Sequence, residues 1–515
     1  MTSPKRKEKY PPDLNEEQMF YLVTQIKDWQ INHGSLLKLV ESDIEHSVLS
    51  QPVGVACFPT LFPRARFQQA LGIQEIYNRL YCSVAEDETW ILDAIRDLIP
   101  VEPLAGALWG IHQAAKKAGS IQDVHLGIFR SDYMLHLSGD SATSPKALPE
   151  TTLKQIEFNS FSCAGASHAN KVANMHRYLT RKGVYTLDDA SFDVASLPEN
   201  KTIRSLASAL ALAHKTYGRP RSKSAKRTAV LFIVQPYNFN IADERPIEYA
   251  LWNREEPVPA YRLDWGPEVL QYTRLTENNE LLFQPPWLLS TDPLEISVVY
   301  LRAGYEAEEY NLTGYEARLQ LEKSAAIKCP SILGHLTTFK KVQQALTLPG
   351  ALERFLSTSD AAAIRETFVH LYPLDETEAG LYARSLVRDQ ERCVNYILKP
   401  SLEGGGNNVY GEDIPGFLAS VPESQWSRYI LMERIDPPIS SNLLMSSAGI
   451  SSGDVVSELG ILGCCLWKAN PSEGHCDMLH NSVGGWTFKT KYAEVNEMSV
   501  VKGYGCFDTP RLVDT

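Results

Sequence analysis

A glycine-rich stretch that follows an apolar run constrains the fold of this chain most. Residues 399–412 read Lys-Pro-Ser-Leu-Glu-Gly-Gly-Gly-Asn-Asn-Val-Tyr-Gly-Glu and come directly after Tyr-Ile-Leu, a run typical of a strand end. Lys399 can meet a phosphate as a point charge, and three glycines let backbone amides approach an anion closely. Glu403 suits a Mg²⁺ ion that also contacts phosphate oxygens. No Gly-Lys-Ser or Gly-Lys-Thr follows, so the stretch is not a Walker P-loop; for three glycines alone, a surface turn is the alternative.

Composition indicates a large globular protein. The 515 residues, 44% hydrophobic and 22% charged, are enough for one multi-lobed unit or for two to three domains. A net charge of −12 argues against nucleic acid or an anionic membrane surface as the partner. No apolar run approaches the roughly 18 residues of a membrane helix. Nine scattered cysteines without CxxC spacing, and an N-terminus without an apolar signal segment, predict a cytoplasmic protein with reduced thiols.

Hydrophobic periodicity predicts a chain that begins helical and then becomes richer in strands. Helical spacing covers residues 14–33, 67–81 and 90–98. Residues 229–234 and 296–300 are apolar, β-branched runs typical of buried strands. We therefore expect an α/β or α+β fold. The expected division is a flexible tail over 1–12, an N-terminal part over 13–227, an α/β substrate-binding domain over 228–336 and a C-terminal part over 337–515.

Nine motifs, in the same order along the chain, resemble those of the eukaryotic glutathione synthetases, which have an ATP-grasp fold. Besides the glycine-rich stretch they are TLFPRARFQQAL (60–71), FRSDYM (129–134), IEFNSFS (156–162), RAGY (302–305), KKVQQAL (340–346), YILMERIDP (429–437), SELGILG (457–463) and GGWTFKTK (484–491). The resemblance implies an ATP-dependent ligase with an inserted α/β substrate-binding domain, a glycine-rich lid and a lid of the alanine-rich type. It also implies ATP, γ-glutamylcysteine and glycine as substrates, and a homodimer.

The same resemblance implies a Mg²⁺ site formed by Glu157, Asn159 and Glu403. Glu157 and Asn159 are two residues apart in a predicted strand, so their side chains project to one face. Carboxylate and amide oxygens are suitable ligands for this hard cation. For Glu157 and Asn159 alone, a solvated strand face is the alternative.

Positions that match the family also imply a nucleotide site. Lys340, Lys399 and Lys491 match phosphate-side lysines. Phosphoryl transfer to a carboxylate depends on charge stabilisation and positioning, so these lysines and Arg130 are the expected catalytic residues. The segment 432–435 matches the strand end whose backbone contacts adenine, and Glu458 matches the carboxylate near the ribose hydroxyls. The expected ATP-binding residues are Glu157, Lys340, Lys399, Glu403, Gly404, Gly405, Gly406, Asn407, Asn408, Tyr410, Met432, Glu433, Arg434, Ile435, Glu458, Lys491 and Glu497.

The resemblance further implies a site for the dipeptide and its acceptor. Arg130 and Arg302 suit the two carboxylates of the dipeptide, because a planar guanidinium pairs with a carboxylate through two hydrogen bonds. The expected substrate-binding residues are Arg130, Phe161, Ser162, Cys163, Ala164, Asn238, Asn240, Glu244, Arg302, Ala303, Gly304, Tyr305, Lys489, Val500 and Val501.

Several positions around both amino-acid substrates depart from the family pattern. Ala164 replaces a second serine, Glu244 a glutamine and Lys489 an arginine; residues 165–168 replace a small, glycine-rich stretch, and the second lid reads Met-Ser-Val-Val-Lys-Gly over 498–503. One explanation is drift that neighbouring residues compensate. Another is a related ATP-grasp ligase with a different acyl donor or acceptor, since one methylene in a pocket changes discrimination by about 1–3 kcal/mol. A third is a non-catalytic nucleotide-binding relative, although the phosphate lysines and metal ligands are all present.

Overall fold

A computed structural model describes residues 10–38, 49–119, 122–137, 148–185, 193–289, 292–401, 406–470 and 475–514. The predicted tail over 1–12 therefore lies mostly outside the described residues. The described α-helices are α1 (Glu16–Asn32), α2 (Arg64–Glu86), α3 (Glu88–Ile95), α4 (Pro103–Lys117), α5 (Ala166–Arg181), α6 (Thr202–Tyr217), α7 (Ile241–Trp252), α8 (Pro267–Tyr272), α9 (Leu312–Lys323), α10 (Ile332–Leu336), α11 (Lys340–Leu346), α12 (Thr358–Arg365), α13 (Glu378–Leu386) and α14 (Asp413–Ala419).

The described strands form three larger sheets and two pairs, β1 with β2 and β4 with β21. They are β1 (Leu36–Lys38), β2 (Ser50–Pro52), β3 (Val55–Ala56), β4 (Thr60–Pro63), β5 (Val124–His136), β6 (Thr152–Asn159), β7 (Thr228–Val234), β8 (Ala260–Asp264), β9 (Thr273–Leu275), β10 (Leu281–Phe283), β11 (Leu294–Leu301), β12 (Ile327–Cys329), β13 (Leu371–Pro373), β14 (Tyr396–Pro400), β15 (Val409–Tyr410), β16 (Tyr429–Glu433), β17 (Ser440–Ser446), β18 (Gly449–Asn470), β19 (His475–Tyr492), β20 (Cys506–Phe507) and β21 (Pro510–Val513).

The largest sheet has the strand order β17-β3-β20-β19-β18-β5-β6. Its centre is the long antiparallel pair β18 and β19. Side chains alternate between the two faces of a strand. Leu459 and Ile461 accordingly pack in the core that α2 covers, whereas Leu462 and Cys464 pack in the core that α6 covers. Both faces of this sheet are therefore buried by helices.

A second sheet has the order β8-β7-β11-β10-β9, with β12 also paired to β11. β7 is parallel to β8 and β11, and all seven of its residues are buried. Parallel strands of this kind are covered by helices on both faces, so their sequences are continuous apolar runs. Here α6 and α9 contribute to the two cores. The strands predicted over 229–234 and 296–300 are confirmed as β7 and β11.

The third sheet has the order β13-β16-β14-β15, and the glycine-rich stretch connects β14 to β15.

The other local predictions agree with the structure within a few residues. The helix predicted over 14–33 is α1, which begins at Glu16 because Asn15 and Gln18 form a capping box. The fold is thus mixed α/β, as expected. Among the described residues, no helix combines the length and apolar character required to cross a membrane.

Candidate active site

A cleft of about 560 Å³ brings together predicted residues that are far apart in the sequence. A larger open groove, of about 1890 Å³, lies elsewhere and contains none of the predicted site residues. The predicted residues that line the cleft are Arg130, Glu157, Asn159, Phe161, Ser162, Cys163, Ala164, Asn240, Tyr305, Lys340, Asn407, Asn408, Glu458, Lys489, Val500 and Val501.

Arg130 is held by Asp132, which lies two residues further along β5. Arg130 Nε and Nη2 donate to the two oxygens of Asp132, each at 2.7 Å. Asp132 is buried and also accepts a hydrogen bond from Asn159 Nδ2 at 2.9 Å. Burial raises the pKa of Asp132 to about 6, although Arg130 opposes the shift. The sequence prediction does not include Asp132, even though its position two residues after Arg130 places both side chains on one face of the strand.

Glu157 lies between two lysines from different elements. Lys340, the first residue of α11, places its Nζ 3.7 Å from Glu157 Oε2. Lys399, on β14, donates from Nζ to the carbonyl oxygen of Ile156 at 3.0 Å. Burial by itself raises the pKa of Glu157, but Lys340 and Lys399 outweigh it and hold the value at about 2. Glu157 is therefore ionised at neutral pH beside two cations, an arrangement suited to phosphate groups and a divalent metal ion.

The donor atoms at this position fit Mg²⁺. Asn159 donates from Nδ2 to Glu157 Oε1 at 3.2 Å as well as to Asp132. Its amide nitrogen is thus engaged, and the carbonyl oxygen is the atom left for a cation. Together with the ionised Glu157 it offers the oxygen ligands that Mg²⁺ prefers. The third predicted ligand, Glu403, lies outside the described residues, as do Gly404 and Gly405.

Glu497 joins the glycine-rich stretch to the C-terminal loop. Its carboxylate accepts hydrogen bonds from the backbone N–H groups of Gly406 at 3.1 Å and Asn408 at 3.3 Å. The Tyr410 hydroxyl donates to the same carboxylate at 3.0 Å. Lys491 donates from Nζ to the Asn496 carbonyl oxygen at 2.9 Å, in the same loop. Two predicted nucleotide segments thus meet here, although Gly406, Tyr410, Glu497 and Lys491 do not line the cleft itself.

The predicted adenine segment lies at the end of β16. Met432 and Ile435 are buried in a small apolar cluster with Leu371 and Ile430, and Ile156 packs against it. The backbone N–H of Glu433 donates to the His370 carbonyl and that of Arg434 to the Asn395 carbonyl. Ile156 precedes Glu157 in β6, so the cluster adjoins the cleft without lining it.

The loop after β6 contacts Arg302 with its backbone. The carbonyl oxygen of Cys163 accepts from Arg302 Nη1 at 2.7 Å, and Ser162, with a φ of 47°, donates from its hydroxyl to the Arg302 carbonyl at 3.3 Å. Arg302 is buried and lies 3.4 Å from Glu244 Oε1 and 3.5 Å from Asp243 Oδ2. The predicted substrate residues that do not line the cleft are Asn238, Glu244, Arg302, Ala303 and Gly304.

The other end of the cleft contains Lys489 and the second lid. Lys489 forms an ion pair with Glu458, its direct neighbour across β18 and β19. The lid closes as a turn, in which Ser499 and Tyr504 exchange two backbone hydrogen bonds. Within it Val500 is buried and Val501 is exposed. The cleft-lining residues that the sequence prediction did not include are Gly165, His168, Phe239, Glu306, Pro400, Met498, Ser499, Lys502 and Phe507.

Comparisons with known proteins agree with this architecture. The family model for the eukaryotic glutathione synthase ATP-binding domain matches residues 16–512. The chain is 31% identical over 521 residues to the glutathione synthetase large chain of Schizosaccharomyces pombe, covering 98% of this chain and 99% of that one. It is 31% identical over 500 residues to the glutathione synthetase of Homo sapiens, covering 96% and 97%.

A solved structure with a similar fold is that of a glutathione synthetase-like effector from Globodera pallida in its apo form. The TM-score is 0.72 at 21% sequence identity, and the match covers 97% of this chain and 98% of that one. At this identity the likeness concerns the fold alone. The family model and the two curated relatives extend over nearly the full length of the sequence. The chain belongs to the eukaryotic glutathione synthase family.

Proposed function

We propose that this protein joins γ-glutamylcysteine to glycine and forms glutathione, while ATP is converted to ADP and phosphate through an acyl-phosphate intermediate. The observation that supports the proposal is the set of charged side chains that line one cleft. Arg130, the pair Glu157 and Lys340, and Lys489 all line it. A ligase of this type needs a cation that binds the carboxylate of the acyl donor and cations that bind the phosphates of ATP. It also needs a neighbouring site for the amino-acid acceptor.

Each group has a role that its chemistry supports. Arg130 binds a carboxylate of the dipeptide, with Asp132 fixing the orientation of the guanidinium. The cysteinyl carboxylate accepts the γ-phosphoryl group of ATP, and Lys340 and Lys399 stabilise the charge on the transferred group. The amine of glycine then attacks the acyl carbon, the new amide bond forms and phosphate leaves. Mg²⁺, bound by Glu157 and Asn159 and by the predicted ligand Glu403, would neutralise phosphate oxygens.

Release of ADP by the purified protein tests this proposal. We expect ADP only when ATP, Mg²⁺, γ-glutamylcysteine and an acceptor are all present, with glycine preferred over β-alanine, serine and alanine. In a folded Glu157→Gln variant the rate should fall at least 100-fold, because removal of one group that stabilises transition-state charge commonly has this effect. Full activity of Glu157→Gln would remove the carboxylate from the mechanism.

A second candidate is a ligase of the same chemistry with a different acceptor or donor. Lys489 and the exposed Val501 favour it, because both alter the lid end of the cleft. Turnover with serine or β-alanine but not with glycine would support this alternative. Tight ATP binding without turnover on any acceptor would point instead to a different acyl donor, bound by the altered residues Asn238, Glu244 and Lys489.

We also propose that the protein acts as a cytoplasmic homodimer, as its resemblance to the family implies. All nine cysteines are free thiols, and eight of them are buried, which suits a reducing compartment. Light scattering coupled to size-exclusion chromatography should give twice the chain mass of 57.6 kDa. A mass equal to one chain would contradict the homodimer.

A further inference from the structure

His168 is a buried imidazole that lines the cleft and has no protein partner. It is the third residue of α5, and it is 2% exposed. Among the residues that the structure describes, neither Nδ1 nor Nε2 has a hydrogen-bond partner. Most buried polar side-chain atoms in native proteins are hydrogen-bonded, so an exception in a binding cleft points to a ligand as the missing partner.

The position of His168 places it in the lid end of the cleft. Its ring contacts that of Phe507, with 5.3 Å between the ring centroids. Phe507 lies directly opposite Lys489 in the pairing of β19 with β20. Directly opposed residues of neighbouring strands project to the same face of a sheet. His168, Phe507 and Lys489 therefore share one wall, and Val500 of the lid lines the same cleft.

Lys489 by itself is a limited anchor for an acceptor carboxylate. Its ammonium group is already paired with Glu458, and both side chains are largely buried. A lysine is a point charge and lacks the planar fork with which an arginine forms two parallel hydrogen bonds to a carboxylate. A carboxylate bound here therefore needs a second donor.

The imidazole of His168 is in a protonation state that can supply this second donor. Burial lowers the pKa of His168 to about 4, although Asp243 opposes the shift, so the ring is neutral at physiological pH. A neutral imidazole carries one N–H donor. The charged neighbours are engaged elsewhere: Asp243 accepts from the backbone N–H groups of Gly165 and Ser167, and Lys171 donates to two backbone carbonyls. The ring nitrogens thus remain for a ligand.

We propose that His168 is a specificity-determining residue of the acceptor site, where its ring N–H donates a hydrogen bond to the α-carboxylate of glycine. Lys489 supplies the charge and His168 supplies the second donor, so the two side chains together replace an arginine fork. This inference rests on the proposed function, because it requires an amino-acid acceptor at the lid end of the cleft. It assigns a role to two of the residues at which the chain departs from its family.

A comparison of glycine with glycinamide, which lacks the carboxylate, tests the proposal. In His168→Leu we expect the KM for glycine to rise about 10-fold or more, the usual effect of losing a hydrogen bond to a charged group. The kcat/KM for glycinamide should change little, and the KM values for ATP and γ-glutamylcysteine should not change. A purely structural role predicts a different result, in which glycine and glycinamide lose activity equally or all three KM values rise together; that result would overturn the proposal.

Two further variants extend the test, and the first of them serves if His168→Leu folds poorly. His168→Gln retains a side-chain donor and should preserve most of the preference for glycine over glycinamide. Lys489→Arg in the His168→Leu background should restore the KM for glycine, because the fork supplies both hydrogen bonds. Strictly additive effects of the two substitutions would contradict a shared role.

The outcomes also separate this inference from the proposed function. Absence of wild-type turnover with glycine would refute the proposed function, and the inference would fail with it. Normal wild-type turnover together with an unchanged glycine-to-glycinamide ratio in His168→Leu would refute the inference alone.

Discussion

The carboxylate of Glu497 accepts a hydrogen bond from the backbone N–H of Gly406 across 3.1 Å, although 91 residues separate the two in sequence. The same carboxylate also holds the backbone of Asn408 and the hydroxyl of Tyr410. One side chain therefore links the glycine-rich stretch to the loop that follows β19. Hydrogen bonds to an ionised acceptor are roughly twice as strong as neutral ones, so this link depends on the charge of Glu497.

Glu497→Gln should consequently loosen the nucleotide lid. The amide keeps the size of the side chain but removes its charge and one acceptor oxygen. We expect the KM for ATP to rise about 5-fold, equivalent to about 1 kcal/mol, as for one weakened hydrogen bond. Asn496→Ala is the matched control, because Tyr410 and Lys491 bind only the backbone carbonyl of Asn496. An unchanged KM for ATP in Glu497→Gln would show that the link does not contribute to nucleotide binding.

Asp132→Asn should weaken binding of the dipeptide. Arg130 is oriented by both oxygens of Asp132, and an amide leaves the guanidinium without its counter-ion. We expect the KM for γ-glutamylcysteine to rise about 10-fold, the effect of losing about 1.4 kcal/mol of binding free energy. The KM for ATP should rise less, because Asp132 contacts the metal-ion site only through Asn159. Ser131→Ala, on the opposite face of β5, is the control and should leave both values unchanged. Equal increases in both KM values for Asp132→Asn would indicate general disruption of the sheet.

Gly304→Ala should be destabilising for a reason that is specific to its surroundings. Gly304 has a φ of 91°, and an added Cβ would lie 2.6 Å from the ring of Trp265. We expect the free energy of unfolding in urea to fall by about 2–4 kcal/mol, combining backbone strain with overpacking. Gly350→Ala is the matched control, with a φ of 80° and no atom within 4 Å of the added Cβ. It should cost about 1 kcal/mol, from strain alone. Similar losses in both variants would mean that the contact with Trp265 relaxes.

Asp508 should make stability depend on pH between 4 and 7. Burial raises its pKa from 3.8 to about 7, although hydrogen bonds from Thr60 and Thr490 oppose the shift. In this range the folded protein keeps a proton that the unfolded chain releases. The stabilising contribution is therefore complete below pH 4 and is lost as the pH rises to 7, by an amount on the order of 4 kcal/mol.

Urea unfolding of Asp508→Asn at several pH values checks this expectation. Asparagine resembles the protonated acid in shape and does not titrate, so the decline in unfolding free energy between pH 4 and 7 should be smaller than in the wild type. Thr60 and Thr490 can rotate their hydroxyl groups to suit the amide. Parallel curves for the two proteins would contradict the assignment of the raised pKa to Asp508.

The local elements were predictable because their signals lie within the elements. The run of seven buried residues in β7 and the capping box at Asn15 each indicate one structure without reference to the rest of the chain. The motif SELGILG over 457–463 covers only the middle of β18, whereas the strand begins at Gly449. Its first residues are polar and exposed, and they are held in the sheet by pairing with β17, which no local pattern indicates.

The site residues that lie in family motifs were predictable from the sequence. Arg130 lies in FRSDYM, Glu157 in IEFNSFS and Lys340 in KKVQQAL, and the structure places all three in one cleft. His168 lies in a stretch that departs from the family, so no motif indicated a role for it. Its significance comes from its burial beside Phe507 and from unpartnered nitrogens, which are properties of the tertiary structure.

The most direct test of the central claim is to identify the product. The purified protein would be incubated with ATP, Mg²⁺, γ-glutamylcysteine and ¹³C-labelled glycine, and the tripeptide would be measured by mass spectrometry alongside ADP. We predict labelled glutathione in a one-to-one ratio with ADP, and at least 100-fold slower formation of both products in Glu157→Gln. Release of ADP without labelled tripeptide, or no release of ADP at all, would contradict the ligation of glycine to the dipeptide.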